Sequence, residues 1–428
     1  MTCLLWLRRD LRSTDLPALA AAAAGGEALP VFVVDPALWQ SCGANPRGWV
    51  AANVLALRLP VVVRTGRPAD VLRRLADEVG ADQIHLSAET TPYGRRRDQR
   101  VRESLSDVEW HATGSPYAVG PGLVRKRDGE PYQVFTPFAK AWRTHGWAAP
   151  AENREVAWVE AGSDPRAVEM LHEAVAGARV PLPRPGEAAA LSRWHDFLDR
   201  IDNYADARDR PDLAATSTLS PYLKVGAIHP RTLLADLARI ESPGADAFRA
   251  EIAWREFYAD VLWHHPHSAW RDLRAELAHL AYDDLDDETL SAWREGRTGF
   301  PIVDAGLRQL RETGWMHNRV RMIVASFFAK DLHAWWPIGA RHFLDELIDA
   351  DIASNSYGWQ WCAGTGTDAS PYFRIFNPES QALKFDPDGA YVRRWVPEVA
   401  TPGYPPPLVD HAQERRVALA RYGQARGR

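Results

Sequence analysis

The stretch LPVVVRTGRPADVLRRLADE, residues 59–78, contains the pattern from which the fold can be predicted. Residues 59–64 form a short apolar run rich in valine, which is typical of a buried strand. Turn residues follow at 65–68, and Pro68 stands near the first position of a helix around residues 70–78. A strand that leads directly into a helix is the repeating unit of a parallel α/β sheet.

Three further apolar runs, at residues 3–7, 29–34 and 83–86, alternate with helix-forming segments. This order predicts a doubly wound, parallel α/β domain over residues 1–114. No GxGxxG follows the first strand and no GxxxxGK[ST] occurs, so a nucleotide is not held by the usual glycine-rich loops.

The pattern changes in the second half of the chain. Residues 115–190 are rich in proline and glycine and are predicted to be an interdomain linker with little regular structure. Amphipathic helical patterns then dominate at residues 248–264, 302–312, 315–332 and 338–348, which predicts an all-helical domain over residues 191–428.

Composition limits the classes of function. The net charge of -5 and the pI of about 6.3 give no global argument for a nucleic-acid partner, so DNA binding requires a local basic face. Three scattered cysteines predict neither disulfides nor a metal site, and indicate a reducing cytoplasm. Arg8-Arg9 before an alanine-rich run resembles an export signal, but charged residues and a following strand argue against one. No apolar run is long enough for a membrane helix.

The segment EIAWREFY, residues 251–258, mixes a carboxylate, a guanidinium and two aromatic rings on one helical face: Glu251, Trp254, Arg255 and Tyr258. Such a face suits a ligand site. The alternative is a helix packed through its two aromatic rings, with an ion pair between the charged residues.

A second helical face, in residues 314–322, combines Asn318, Arg321 and Met322, while Val320 and Ile323 lie on the packing side. Polar groups beside a polarizable side chain suit a flat heterocycle that needs a few directed hydrogen bonds. The alternative is a core whose polar residues are satisfied internally.

Two further segments are candidates for a binding site. TSTLS, residues 216–220, places four hydroxyls before a helix, which predicts a phosphate site or, alternatively, a plain N-cap. Residues 349–361 bring together two carboxylates, an amide and paired tryptophans, a combination that packing alone does not explain.

Seven collinear motifs resemble the photolyase and cryptochrome family, most closely the class I cyclobutane pyrimidine dimer photolyases. They are WLRRDLR from Trp6, TPYGRRRD from Thr91, TSTLSPYL from Thr216, WREFY from Trp254, RTGFPIVDAGLRQL from Arg297, GWMHNRVRM from Gly314 and WQWCAGTGTDASPYFRIFNP from Trp359. The resemblance implies an N-terminal antenna domain and a C-terminal helical domain that binds FAD. It implies repair of pyrimidine dimers in DNA by electron transfer from light-excited, reduced FAD.

The resemblance also assigns roles to individual residues. FAD contacts are expected from Tyr204, Thr216, Ser217, Thr218, Leu219, Ser220, Arg321, Asp349, Asp351 and Asn355, with Arg321 paired to Asp349 and Asn355 facing the flavin N5. Contacts to the dimer or to DNA are expected from Glu251, Trp254, Arg255, Tyr258, Asn318, Arg319, Met322, Trp361, Lys384, Arg393 and Arg394. Glu251, Asn318 and Asn355 are the expected catalytic residues.

A photoreduction chain is expected to run from Trp359 through Trp336, but the family's outer tryptophan is replaced, and Tyr282 is the proposed terminal donor. Trp335 is an alternative donor. Arg47 and Glu89 stand where antenna contacts are expected, and the second chromophore, if one binds, is a deazaflavin or methenyltetrahydrofolate.

The predicted protein is a cytoplasmic monomer without a membrane segment or a metal. A cryptochrome photoreceptor without repair activity is the main alternative, and Asn355 argues against it because plant cryptochromes generally have an acid at this position. A (6-4) photolyase would show a histidine pair, whereas GWMHN has one histidine. A generic flavoprotein oxidoreductase would not require Trp254, Asn318 and Trp361 together.

Overall fold

The structure is a computed structural model that describes residues 1–277, 279–368, 371 and 374–427. Part of the last family motif, Ala369, Ser370, Tyr372 and Phe373, lies outside these described residues. The chain divides into two compact units. The first unit comprises Met1–Tyr132, Thr136–Asp202 and Ser217–Pro266, and the second comprises Gln133–Phe135, Asn203–Thr216 and His267–Arg428.

The first unit contains a parallel sheet with the strand order β3-β2-β1-β4-β5, and a two-residue strand, β6, pairs with β2. The strands are β1 (Thr2–Leu7), β2 (Glu27–Val34), β3 (Val62–Thr65), β4 (Gln83–Leu86), β5 (Glu109–Ala112) and β6 (Ala157–Trp158). This order confirms the predicted doubly wound domain. The sequence did not predict β5, because its four residues, EWHA, lack an apolar run.

Eight helices occur in the first 200 residues, of which five alternate with the strands β1–β5 and three come after β5 in the chain. They are α1 (Pro17–Gly25), α2 (Pro36–Ser41), α3 (Ala44–Leu55), α4 (Pro68–Val79), α5 (Pro92–Ser104), α6 (Phe135–His145), α7 (Pro165–Ala176) and α8 (Glu187–Leu198). Pro68 is the first residue of α4, as predicted, because its missing N–H costs no hydrogen bond in the first turn.

The remaining chain is helical, as predicted. Its helices are α9 (Tyr204–Ala207), α10 (Ser220–Val225), α11 (Pro230–Leu237), α12 (Pro243–His264), α13 (Asp287–Glu295), α14 (Pro301–Thr313), α15 (Asn318–Lys330), α16 (Trp336–Glu346), α17 (Ile352–Ala363), α18 (Pro378–Phe385), α19 (Ala390–Trp395) and α20 (His411–Ala425). Among the described residues, no helix has both the length and the apolar character needed to cross a bilayer.

The segment predicted to be a linker with little regular structure contains two well-formed helices, α6 and α7. Pro165 begins α7, and the Asp164 side chain caps that helix by accepting a hydrogen bond from the backbone N–H of Arg166. The prolines that suggested irregular chain are therefore partly helix-start residues. The domain boundaries predicted at 114 and 190 do not coincide with the limits of the two units and stay a prediction.

In the second unit the core lies between α14, α15, α16 and α17. Gly306 allows α14 and α15 to approach closely, since a Cβ there would lie 2.4 Å from Cγ1 of Val320. Trp293 and Trp336 are completely buried in the same core. This packing fixes the outward faces of α15 and α17, on which the predicted site residues lie.

Candidate functional site

The face predicted on α12 exists in the first unit. Glu251, Trp254, Arg255 and Tyr258 are all half-buried, whereas the positions between them are buried. The rings of Trp254 and Tyr258 lie with their centroids 5.3 Å apart. Both rings are only partly buried, and Trp254 also packs edge-on against the buried Phe257 at 5.8 Å, so this face combines packing contacts with a surface open to a ligand.

Arg255 differs from its neighbours on this face because its guanidinium binds the protein's own backbone. Nη1 donates to the carbonyl of Pro116 at 2.8 Å and Nη2 donates to that of Leu223 at 3.3 Å. The group also lies 4.4 Å from the ring centre of Tyr117. These contacts indicate a structural role, and the predicted DNA contact by Arg255 stays a prediction.

The second predicted face lies at the start of α15. Asn318 is exposed and Arg321 and Met322 are half-buried, while Val320 and Ile323 are at most 1% exposed, so the predicted division into two sides is correct. His317 precedes the helix and its Nδ1 accepts from the backbone N–H of Arg319 at 3.2 Å. Burial lowers the pKa of His317 to about 4, so this N-cap is neutral at pH 7.

Arg321 and Asp349 form the predicted ion pair, with Nη2 2.8 Å from Oδ2. Nε of the same guanidinium donates to the carbonyl of Met316 at 2.8 Å, which fixes the plane of the group. The Asp349 side chain is almost completely buried and that of Arg321 is a quarter exposed. The pair is neutral overall, so what it offers a ligand is the exposed quarter of the Arg321 side chain, whose fixed guanidinium can donate hydrogen bonds.

Two polar residues of α17 lie near this pair in the sequence. Asp351 caps the helix by accepting from the backbone N–H of Ser354 at 3.0 Å. The amide Nδ2 of Asn355 donates to the carbonyl of Ala340 at 2.9 Å. With the nitrogen held in this way, Oδ1 of Asn355 faces away from that bond and can accept from an N–H, such as the one at N5 of a reduced flavin.

The hydroxyl segment 216–220 leads into α10, whose first residue is Ser220. Ser217 and Leu219 are buried, and Thr218 adopts a left-handed backbone with a φ of 50°. Arg193 donates to Oγ1 of Thr218 and holds it there. A non-glycine residue in this conformation is uncommon and often marks a functional segment. Tyr204 and Thr216 belong to the second unit, where Tyr204 is 8% exposed.

The tryptophans of the predicted electron chain are buried in the second unit. Trp359 packs against Phe343 at 5.0 Å and Trp293 at 6.3 Å between ring centres. Its ring also lies against Gly339, where a Cβ would be 2.2 Å away. Trp336 lies three residues before this glycine, on the same side of α16. Trp335, the alternative donor, is 41% exposed.

One residue of this region was missed by the sequence analysis. The half-buried carboxylate of Asp272 accepts from Nε1 of Trp336 at 2.8 Å and from Oη of Tyr282 at 3.4 Å. Burial raises the pKa of Asp272, although three side-chain hydrogen bonds oppose the shift. No local signal marks this residue, because its partner Trp336 is 64 positions away in the sequence.

The predicted DNA-binding cations are not equivalent. Lys384, Arg393 and Arg394 are exposed on α18 and α19. Arg319, in contrast, is half-buried and pairs with Asp209 at 2.8 Å, while it shares the Phe385 ring with Lys384, at 4.5 Å and 5.0 Å from the ring centre. Trp361, predicted to contact the dimer, is half-buried on α17. The three exposed residues are therefore better placed to contact phosphates than Arg319.

The expected antenna residues contact the first unit itself. Arg47 donates to the carbonyl of Trp39 at 3.0 Å. Burial acts to raise the pKa of Glu89, but nearby guanidiniums, that of Arg9 first, outweigh it and lower the pKa to about 2. Glu89 is therefore ionised, and it accepts from the backbone N–H of Thr90 at 2.8 Å.

Comparisons with known proteins agree along the whole chain. Residues 3–155 match the family model described as DNA photolyase, and residues 248–402 match the one described as FAD binding domain of DNA photolyase. A deoxyribodipyrimidine photo-lyase of Vibrio cholerae is 38% identical over 99% of this chain and 100% of its own length.

Two solved structures are also similar. A bacterial class III photolyase from Agrobacterium tumefaciens has 35% identity and a TM-score of 0.90, covering 100% of this chain and 98% of its own. An archaeal photolyase from Sulfolobus tokodaii, solved with two FAD molecules, has 29% identity and a TM-score of 0.87, covering 99% of this chain and 100% of its own.

Proposed function

This chain belongs to the DNA photolyase family, and from that premise we propose that it repairs cyclobutane pyrimidine dimers in DNA with light and FAD. The observation that carries the proposal is the α12 face, where Glu251, Trp254 and Tyr258 are half-buried although two of them are large aromatic residues. Such a face suits recognition of a flat, extruded lesion.

The polar groups of the second unit fit FAD. Arg321, held by Met316 and Asp349, offers a fixed guanidinium as a hydrogen-bond donor. Asn355, held by Ala340, offers an amide oxygen to an N–H donor. Bound FAD, in its reduced form, would supply the light-excited one-electron donor that dimer cleavage needs, with no net redox change over the cycle.

The remaining predicted FAD contacts are assigned by residue type in our proposal. Hydroxyls and backbone N–H groups of a helix start are suited to phosphate oxygens. We assign the phosphate-binding role to the segment 216–220, and the other contacts to Tyr204, Asp349 and Asp351.

The protein's own side chains bind the dimer and stabilise its charge. Trp254 and Trp361 provide apolar walls for the extruded bases, and Met322 adapts to their shape. Glu251 and Asn318 hydrogen-bond the polar edge of the pyrimidines. Negative charge that arrives on a pyrimidine carbonyl is thereby stabilised by groups already in position.

We propose that Lys384, Arg393 and Arg394 contact phosphates of the damaged strand, since they are exposed and close together in the sequence. The protein acts as a monomer in the cytoplasm, where its three cysteines would stay reduced. The antenna domain comprises residues 1–114, the linker 115–190 and the FAD domain 191–428. The class I assignment and the antenna chromophore, a deazaflavin or methenyltetrahydrofolate, are part of the same proposal.

The test is repair of a thymine dimer in an oligonucleotide by the purified, chemically reduced protein under blue light. We expect light-dependent loss of the dimer and none in the dark. Arg321→Ala should lose FAD during purification, and Arg321→Lys, which keeps a positive charge, should retain part of it. Reduced protein with bound FAD that leaves the dimer intact in the light would contradict the proposal and favour a photoreceptor.

A further inference from the structure

The carboxylate of Asp272 contacts both Trp336 and Tyr282, the second and third members of the predicted electron chain that begins at Trp359. Its Oδ1 accepts from the indole N–H of Trp336 at 2.8 Å, and its Oδ2 faces the phenol of Tyr282 at 3.4 Å. Trp336 is completely buried and Tyr282 is half-buried against Leu277, Leu280 and Tyr422. One acid thus contacts both groups through different oxygens.

A phenol that loses an electron becomes a strong acid, so tyrosine oxidation needs a base close to its hydroxyl. Burial and the nearby charge of Asp272 raise the pKa of Tyr282, which keeps the phenol protonated at neutral pH. The proton must therefore leave together with the electron. The carboxylate oxygen lies 3.4 Å from the phenol oxygen, slightly beyond the reach of about 2.6–3.2 Å of a general base, and such contacts commonly shorten once a site is loaded.

We infer that Asp272 is the proton acceptor that makes Tyr282 the terminal electron donor of this chain. The inference rests on the proposed function, because the oxidising equivalent reaches Trp336 from Trp359, whose own oxidant is light-excited, oxidised flavin. One electron passes from Tyr282 to the oxidised indole of Trp336. The phenolic proton passes from Oη of Tyr282 to Oδ2 of Asp272, leaving a neutral tyrosyl radical and a neutral carboxylic acid.

The two carboxylate oxygens have separate functions in this mechanism. Oδ1 holds the Trp336 indole and places a negative charge next to the ring that becomes positive, which favours its oxidation. Oδ2 receives the proton of Tyr282. After the transfer the charge of Asp272 is lost, so the stabilisation of an oxidised Trp336 is lost as well and return of the electron is disfavoured.

The experiment follows the radical in the FAD-containing protein, with the flavin oxidised and without external reductant, by freeze-quench EPR after a light pulse. The wild type should give a tyrosyl signal, and Tyr282→Phe should give a tryptophanyl signal instead. Asp272→Asn, which keeps the size of the side chain but not the base, should lower the tyrosyl yield at least about tenfold. In the wild type, the tyrosyl radical should form more slowly in D2O than in H2O.

Asp272→Glu and Tyr357→Phe are the control variants. Glutamate retains a carboxylate and should restore part of the tyrosyl yield, which a merely structural role would not explain. Tyr357 is a buried tyrosine bonded to Ser268, and its loss should not change the signal. Resonance Raman spectra of the indole N–H should show a weakened hydrogen bond at Trp336 in Asp272→Asn, independently of the flavin.

A tyrosyl yield in Asp272→Asn equal to the wild-type yield would overturn the inference. A tryptophanyl radical in the wild type would do the same, and its loss in Trp335→Phe would identify Trp335 as the donor. Failure of the proposed function gives a different result, since chemically reduced wild-type protein would then leave dimers intact in the light while the tyrosyl radical still formed.

Discussion

Three carboxylates on α12 have different surroundings, although they lie within ten residues of one helix. Glu251 is half-buried on the face assigned to the substrate, whereas Glu256 and Asp260 are at most 3% exposed on the opposite side. Residue type and helical position are therefore not sufficient to assign a function to an acid. The hydrogen-bond donors that surround a buried acid, such as those around Glu256, decide how far it stabilises the fold.

The two buried acids differ from each other in how well they are satisfied. Glu256 accepts from the backbone N–H groups of Ala118 and Val119 and from Nε1 of Trp142 at 2.8 Å. Asp260 accepts from the N–H of Gly122 at 2.6 Å, but within the described part of the chain its Oδ2 has no hydrogen-bond partner. Both carboxylate oxygens of Glu256 are therefore hydrogen-bonded, whereas, among the described residues, only one oxygen of Asp260 is.

The largest expected effect is that of Glu256→Ala. Removing the carboxylate leaves three buried donors without an acceptor, each worth about 1–3 kcal/mol, so the free energy of unfolding should fall by about 4 kcal/mol. Urea unfolding measures this loss. Glu256→Gln retains one acceptor oxygen and should lose less, and equal losses for the two variants would contradict the assignment to hydrogen bonding.

The next effect concerns activity rather than stability. Glu251→Ala should lower the rate of dimer repair by about a hundredfold, the size expected for removing one group that stabilises transition-state charge. Its free energy of unfolding should stay within about 0.5 kcal/mol of the wild-type value, because the side chain is half-buried and lies outside the core. Repair kinetics under constant blue light and urea unfolding of the same preparation check both expectations.

Glu251→Gln is the matched control for that variant, since it retains hydrogen bonding and removes the carboxylate. It should recover part of the lost rate. A variant that repairs at the wild-type rate with Ala at position 251 would place this acid outside the substrate site.

Asp260 predicts a smaller effect that depends on pH. Burial raises the pKa of Asp260 from 3.8 to about 6, so the folded state binds this proton more tightly than the unfolded state does. The stability gained from the bound proton is fully present below pH 3.8 and is lost as the pH rises through about 6. Asp260→Asn can still accept from Gly122 and carries no charge. We expect it to be more stable than the wild type by about 2 kcal/mol at pH 7, with the difference vanishing towards pH 4.

Urea unfolding of both proteins at several pH values measures this difference. A stability gap that is the same at pH 4 and pH 7 would show that the ionisation of Asp260 is not its cause. If Asp260→Asn were less stable than the wild type at pH 7, the hydrogen bond from the N–H of Gly122 would require a charged acceptor.

Local patterns predicted the elements that depend on nearby residues. The strand-to-helix unit around Pro68 and the two faces of α12 and α15 follow from periodicity within one element, and the structure contains them. The same reasoning missed Glu256, because its partner Trp142 lies 114 positions away. It missed Asp272 for the same reason, since a carboxylate in irregular chain has no periodic signal.

The helices within 115–190 were missed for another reason, which is that proline has two opposite meanings. Pro165 was counted as a breaker although it is the first residue of α7, where proline is favoured. The family motifs do not depend on long-range partners or on how a proline is interpreted, because they were recognised as whole segments. The roles that the motifs assign to single residues are tested only by substitutions such as Glu251→Ala.

The smallest expected effect separates two cations that the sequence had assigned to the same DNA-binding role. Arg255 binds two backbone carbonyls and the Tyr117 ring, whereas Lys384 is exposed. Arg255→Lys should lower the free energy of unfolding by about 1 kcal/mol and leave the salt dependence of DNA binding unchanged, because lysine cannot reproduce the forked contact. Lys384→Ala should do the reverse and reduce the slope of log affinity against log salt by about one. Titrations of a dimer-containing oligonucleotide at several salt concentrations distinguish them, and a reduced slope for Arg255→Lys would show that this residue contacts DNA after all.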